Sequence, residues 1–240
     1  MHSDTAIIIP ARLAAVRLPN KPLAEIGGIP MVIRVANQAK LSNAGDVFIA
    51  CCGDEIFNVA KAHGFRAIKT DPNLASGTDR VYEAFKNIGK NYNYIINLQG
   101  DLPLIDPEII FATATLLSKA HVEISTAVCE ITEEYKITDQ NIVKAILTQN
   151  NQALYFTRAT APSGPGKLYE HIGIYGYTID SLKKFVSAKQ TELEKRERLE
   201  QLRALENDIK IHVAIVESAP ISVDIPDDLE RVRAFFKKLN

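Results

Sequence analysis

The run Ile7-Ile8-Ile9, closed by Pro10, places the tightest constraint on the fold. Three consecutive β-branched residues leave no polar face. The strand they form is buried on both sides, as strands inside a parallel sheet are. Proline cannot donate to a sheet ladder, so Pro10 is expected to end the strand. The loop that follows, to Leu23, carries Arg12, Arg17 and Lys21, and Pro19 and Pro22 stiffen its backbone. Three cations on a stiffened loop at a strand end suit a polyphosphate. Guanidinium forks match phosphate oxygens in pairs, and a lysine adds a point charge. On charge alone, a solvated basic loop reads the same way.

The first half of the chain alternates strand and helix patterns. Gly27-Gly28 mark a turn, and Met31, Val32, Val35, Ala36 and Ala39 follow helical spacing. Strands are expected at 47–50, 66–68 and 94–98. Helices are expected from Ile56 to His63, ended by Gly64, then after Ser76-Gly77-Thr78, and from Pro107, a favoured first-turn proline. This order implies a mostly parallel sheet with helices on both faces. The middle of the chain reads as strands at 124–128, 143–147, 153–156 and 172–177, with a loop rich in proline and glycine at 159–167. Helices at 180–188 and 192–207, a strand at 211–216 and a terminal helix from Asp227 to Leu239 complete the chain. A single domain over 1–240 with a small antiparallel extension is the simplest account.

The composition excludes several classes of function. A chain of 240 residues with 46% hydrophobic and 24% charged residues is that of an ordinary globule. A net charge of −1 gives no global field for nucleic acid or an anionic membrane. No run is long enough for a transmembrane helix, and no secretory signal is read at the N-terminus. Three cysteines, two of them adjacent, fit no zinc spacing and read as reduced thiols of a cytoplasmic protein.

Open α/β sheets bind ligands at the carboxyl ends of their strands. The basic loop, Gln99-Gly100-Asp101 and Val223-Asp224 are all expected there. Dinucleotide and Walker A glycine patterns are absent, so the cations and loop amides would form any phosphate site. Asp101 and Asp224 each follow an apolar run and are candidate Mg²⁺ ligands. Asp is also a preferred helix cap, and for Asp224, just before Pro226 and the last helix, that rival stays open. Ser76 and Gly77 either start a helix or present groups to a base. His171 is either a satisfied core residue or a ligand contact. Glu200, Gln201 and Arg203 lie on an expected helix whose default is a solvated face.

Taken together, these pieces resemble the cytidylyltransferases that activate acidic sugars, and most closely the 3-deoxy-manno-octulosonate (Kdo) cytidylyltransferase family. The matching pieces are Pro10-Ala11-Arg12, Arg17-Leu18-Pro19, Lys21-Pro22-Leu23, Ser76 to Arg80, Gln99-Gly100-Asp101, Ala153 to Phe156 with Arg158, His171 with Gly173 to Tyr177, Leu199 to Arg203, and Val223-Asp224. The resemblance implies a Rossmann-like nucleotidyltransferase domain of the nucleotide-diphospho-sugar transferase type, with an antiparallel extension used for dimerisation. It implies a cytoplasmic, homodimeric, Mg²⁺-dependent enzyme that makes CMP-Kdo and pyrophosphate from CTP and Kdo for lipopolysaccharide assembly. Arg12, Lys21 and Asp101 are then the catalytic residues. Pro10, Ala11, Arg12, Arg17, Lys21, Ser76, Gly77 and Gln99 bind the nucleotide. Arg80, Gln99, His171, Glu200, Gln201 and Arg158 line the sugar pocket, and Asp101 and Asp224 carry the metal.

The chain departs from the family pattern at several positions. Ala15 and Val16 stand where a Ser and a Thr are usual, Leu102 where Glu often follows the aspartate, and Ala161 and Ser163 in place of larger residues. The competing readings are a cytidylyltransferase for 8-amino-Kdo or a sialic acid, and a nucleotide-binding module without turnover.

Overall fold

The computed structural model describes residues 4–13 and 17–239. Ala15 and Val16, where the loop departs from the family pattern, lie outside the described residues. The chain divides into two compact units, Met1–Phe111 with Pro220–Asn240, and Ala112–Ala219.

The first unit is built on β1 (Thr5–Ala11). A 3₁₀ turn at Lys21–Leu23 leads to a small antiparallel hairpin of β2 (Glu25–Ile26) and β3 (Ile29–Pro30). There follow α1 (Met31–Leu41), β4 (Asp46–Cys51), α2 (Asp54–Ala62), β5 (Arg66–Lys69), α3 (Gly77–Asn87) and β6 (Tyr94–Leu98). The four long strands run parallel in the order β6-β1-β4-β5. The chain moves outward from β1 through β4 to β5, then returns to the other side of β1. The strand order therefore reverses between β1 and β6, which is where open sheets of this kind leave a crevice.

Ile7, Ile8 and Ile9 have no exposed surface, as their lack of a polar face requires. Burying each contributes about 1.5–3 kcal/mol relative to leaving it exposed. Pro10 does not end the strand. β1 continues to Ala11, and Pro10 pairs with Ala50 of β4, whereas pairing with β6 stops at Ile8. The proline sits where the strand has one partner, so its missing N–H leaves no gap in a second ladder. Gly64 ends α2 at φ +78°, as expected of a glycine at that position. α4 (Pro107–Leu116) begins at its proline and runs across the boundary between the units.

The second unit contains β7 (Ile124–Glu130), the short α5 (Glu134–Thr138), β8 (Lys144–Leu147), β9 (Ala153–Thr157), β10 (Tyr169–Thr178), α6 (Ile179–Ser187), α7 (Glu192–Glu197), α8 (Leu202–Glu206) and β11 (Ile211–Val216). β11 is parallel to β7, while β10 is antiparallel to β7 and β8, and β8 is antiparallel to β9. The Gln149-Asn150-Asn151 turn joins β8 to β9 with Asn151 at φ 56°. The single helix expected over 192–207 is instead two helices. Arg198 adopts φ 55° and breaks it. The break lets Arg203 fold back on Glu194, with Nε and Nη2 2.9 and 2.6 Å from its two carboxylate oxygens, and both side chains are buried.

α9 (Pro226–Leu239) closes the first unit. It packs Leu229, Val232 and Phe236 with Ile26, Met31, Leu18 and Val223 in one apolar cluster. This cluster ties the basic loop, the hairpin and the segment carrying Asp224 to one another.

Candidate active site

The crevice at the reversal point is a cleft of about 390 Å³, within the range of small-molecule sites. The end of β1 brings Pro10, Ala11 and Arg12 to it, and the basic loop adds Arg17, Leu18, Lys21 and Pro22. The end of β6 supplies Gln99, Gly100 and Asp101, the start of α3 supplies Ser76, Gly77 and Arg80, and Asp224 enters from the segment before α9. All eight nucleotide candidates therefore converge here, with both metal candidates and Arg80. Gly100 has a packing reason that the sequence reading did not assign it. A Cβ there would lie 3.1 Å from the Pro10 carbonyl oxygen, so a side chain would press β6 away from β1.

Ser76 caps α3, its hydroxyl accepting from Asp79 N–H at 3.1 Å and donating to the Asp79 carboxylate at 3.0 Å. The cap and the cleft wall are the same residue. Gln99 donates to Asn97 Oδ1 at 2.9 Å, and Asn97 donates to Thr78 Oγ1 at 3.2 Å. This chain of side-chain bonds fixes the α3 start against the β6 end. Arg80 is almost fully buried and donates through Nη1 to Thr70 Oγ1 and, at 3.1 Å, to the Asp71 carbonyl. One of its arms thus braces the loop before α3, a structural task beyond the anion contact expected of it.

Lys21 lies at the centre of the charges. Its ammonium donates to Asp101 Oδ2 at 2.9 Å, to the Val223 carbonyl at 2.9 Å and to Asp224 Oδ1 at 3.2 Å. Burial alone lowers its pKa, but the two carboxylates outweigh burial and the net shift is upward. Arg17 meets Asp224 at 3.2 Å from an exposed position, so that pair is a weak one. Arg12 is exposed at the cleft mouth.

Asp224 does not cap α9. Asp228 does so, its Oδ2 accepting from the N–H groups of Asp224 and Ile225 at 3.0 and 3.1 Å. The Asp224 carboxylate is left to face Lys21 and Arg17. The Val223 N–H donates to the Asp101 carbonyl at 2.9 Å, so main chain also joins the two aspartate segments. Two hard carboxylates within hydrogen-bonding distance of one ammonium are a donor set that Mg²⁺ accepts, with substrate phosphates completing its shell. The described residues hold no cluster of three or more His, Cys, Asp or Glu that would form an all-protein metal cage.

Four sugar-pocket candidates belong to the second unit. His171 on β10 has Nε2 3.0 Å from Thr126 Oγ1 and packs its ring against Phe156 and Tyr175. Burial drives its pKa down to about 3, so the ring is neutral at pH 7. Arg158 is engaged with protein oxygens, donating through Nε to the Glu197 carbonyl and through Nη1 to the Gln140 carbonyl. Glu200 and Gln201 do not lie on a solvated helical face. They form the turn between α7 and α8, and Gln201 is buried.

Tyr175 was not singled out by sequence reasoning. Its hydroxyl is buried and has no hydrogen-bond partner among the described residues. Burial holds its pKa well above the usual range, and neighbouring Tyr177 and Glu200 add to the shift. Its place two positions beyond Gly173 on an apolar strand was the available signal. A bulge between Ile172 and Tyr175 obscures that periodicity.

The chain matches the family described as cytidylyltransferase over residues 6–211. It is 48% identical over 238 residues to the 3-deoxy-manno-octulosonate cytidylyltransferase of Paramagnetospirillum magneticum, covering 96% of this chain and 97% of that protein. The enzyme of the same name from Bartonella henselae is 48% identical over 239 residues, with 97% and 98% covered. The chain belongs to the 3-deoxy-manno-octulosonate cytidylyltransferase family. A solved CMP:2-keto-3-deoxy-manno-octonic acid synthetase, complexed with CTP, superimposes with a TM-score of 0.93 at 31% identity over 99% of this chain and all of that one. The family's α/β architecture with a largely parallel central sheet is thus present here. A 4-diphosphocytidyl-2C-methyl-D-erythritol synthase from Anaerococcus prevotii shares the fold alone, at a TM-score of 0.67 and 13% identity.

Proposed function

We propose that this cytidylyltransferase uses CTP to activate Kdo, giving CMP-Kdo and pyrophosphate, with Mg²⁺ as its metal. The observation that carries this reading is the meeting of Lys21, Asp101 and Asp224 at the reversal point, in a chain of this family. The sugar's anomeric hydroxyl oxygen forms a bond to the α-phosphorus, the α–β bridging P–O bond breaks, and the hydroxyl proton is lost. Arg12, Arg17 and Lys21 hold the triphosphate and stabilise the charge that gathers on departing pyrophosphate. Ser76 and Gly77 border the base at the start of α3. Asp101 and Asp224 would hold Mg²⁺, which when bound neutralises phosphate charge and lowers the pKa of a nearby hydroxyl. Arg80 and Gln99 serve the sugar from the cleft of the first unit. By the family resemblance His171, Glu200, Gln201 and Arg158 of the second unit have a sugar role, and the buried Tyr175 hydroxyl of that unit is a donor in need of a partner.

The test is pyrophosphate release from CTP with Kdo, 8-amino-Kdo or sialic acid, with and without EDTA. Release with Kdo that EDTA abolishes is expected. Faster release with 8-amino-Kdo or sialic acid would transfer the enzyme to that sugar, and EDTA-resistant turnover would remove the metal.

We further propose a homodimer formed through the antiparallel part of the second unit, by β10 around Ile172–Tyr177 and the helices after it; on the antiparallel β9, Leu154 is a large exposed apolar side chain. A monomer in light scattering at micromolar concentration would reject it. A cytoplasmic setting and a role in lipopolysaccharide assembly belong to the same reading. The free cysteines Cys51, Cys52 and Cys129 suit a reducing compartment.

A further inference from the structure

We propose that Lys21 and a divalent cation compete for the Asp101–Asp224 carboxylates, and that the phosphates of the nucleotide end the competition by drawing the ammonium away. An ammonium has three N–H donors and no acceptor. The Lys21 ammonium makes three bonds, to Asp101 Oδ2, the Val223 carbonyl and Asp224 Oδ1. None of its donors remains for a phosphate in this arrangement. The same two carboxylates are the hard oxygen donors that a divalent cation would take. Two cations cannot share them closely, because the repulsion at such separations in a partly buried site is large.

The backbone favours a swinging side chain over a moving loop. Lys21 opens a 3₁₀ turn in which Leu23 N–H donates to the Asn20 carbonyl at 2.8 Å, and its neighbour Pro22 is buried. The four-carbon stem is the freest part. Lys21 also lines the cleft, so its ammonium has a short path from the carboxylates to where phosphates would lie. Nucleotide and metal then bind with positive coupling through one side chain, and the coupling is reciprocal.

This inference rests on the reading that Asp101 and Asp224 hold the metal, and the experiment separates the two. Mn²⁺ affinity, by calorimetry, and melting temperature are measured on the full chain without nucleotide. The proteins compared are the wild type, Lys21→Gln, Lys21→Met and the double variant Asp101→Asn/Asp224→Asn. Lys21→Gln keeps an amide donor for the Val223 carbonyl and guards against a folding defect in Lys21→Met. Both Lys21 variants are expected to bind Mn²⁺ at least tenfold more tightly than wild type. They should also melt lower without the cation and recover on its addition. The double Asn variant should not bind. If the Lys21 variants bind no more tightly while the Asn variant loses binding, Lys21 does not compete and the inference falls. If the Asn variant binds like wild type, the carboxylates are not the metal site, and that reading falls together with the inference.

Discussion

Asp224 and Asp228 are one helical turn apart, and the structure divides between them two tasks that either aspartate is chemically able to do. Asp228 takes the orphan N–H groups before α9, and Asp224 keeps its charge for Lys21 and Arg17. Asp224→Asn is therefore expected to fold normally and to lose turnover by about 100-fold or more, since even outer-shell partners of a metal cost about 10–100-fold. Asp228→Ala should do the reverse, costing about 1 kcal/mol of stability while most turnover remains. Chemical denaturation alongside initial rates checks both, and near-normal turnover in Asp224→Asn would take it out of the site. Far from the cleft, Asp46 accepts from Tyr92 and pairs with Lys90 and Arg66, the Tyr92 bond being the largest cause of a pKa lowered to about 2. A carboxylate depressed on folding contributes stability that is complete above its unfolded pKa, about 3.9, and is lost as pH falls through the folded value. Melting temperature should thus drop between pH 4 and about 2, more steeply in wild type than in Asp46→Asn. Equal slopes would contradict it.

Among the elements, those with local punctuation were readable. Gly64, Pro107, Pro226 and the Ser76 cap each mark a helix end that the structure keeps. The break between α7 and α8 was not readable, because Arg198 takes a left-handed backbone where no glycine or proline announces it. The reason lies in tertiary structure. The break pairs Glu194 with Arg203 bidentately in a buried place, and that pairing holds the Glu200–Gln201 turn. Arg203→Ala would leave Glu194 buried without its partner and is expected to cost about 3–5 kcal/mol, whereas Glu194→Leu/Arg203→Met should cost much less. Urea denaturation of both proteins decides this, and equal losses would assign the effect to packing. β1 running through Pro10 had the same kind of cause, since strand pairing on one side only is not visible in local sequence.

For the molecule as a whole, strand-end logic was enough to collect the basic loop and Gln99 to Asp101 at one cleft, but Asp224, also expected at a strand end, reaches that cleft from the coil between β11 and α9. It was not enough to show that Lys21 is already engaged with both aspartates, or that Arg80 and Arg158 spend donors on backbone carbonyls. Periodicity tells which side chains are buried, and says nothing of which oxygen each donor finds. Ser76 and Gly77 line the cleft at the start of α3, and if they border the base as proposed, CTP is expected to be preferred strongly over ATP and GTP. Comparable pyrophosphate release from ATP would reject that placement. Gln201→Ala should raise the KM for Kdo more than that for CTP, by an amount matching about 1–3 kcal/mol for a lost buried partner. An effect confined to CTP would remove Gln201 from the sugar pocket. The bond from the Val223 N–H to the Asp101 carbonyl has a different kind of consequence. It is made by atoms that every amino acid except proline supplies at the donor and every amino acid supplies at the acceptor. The two side chains at the heart of the site can therefore be exchanged by an engineer for other metal or anion ligands while the frame that presents them stays fastened.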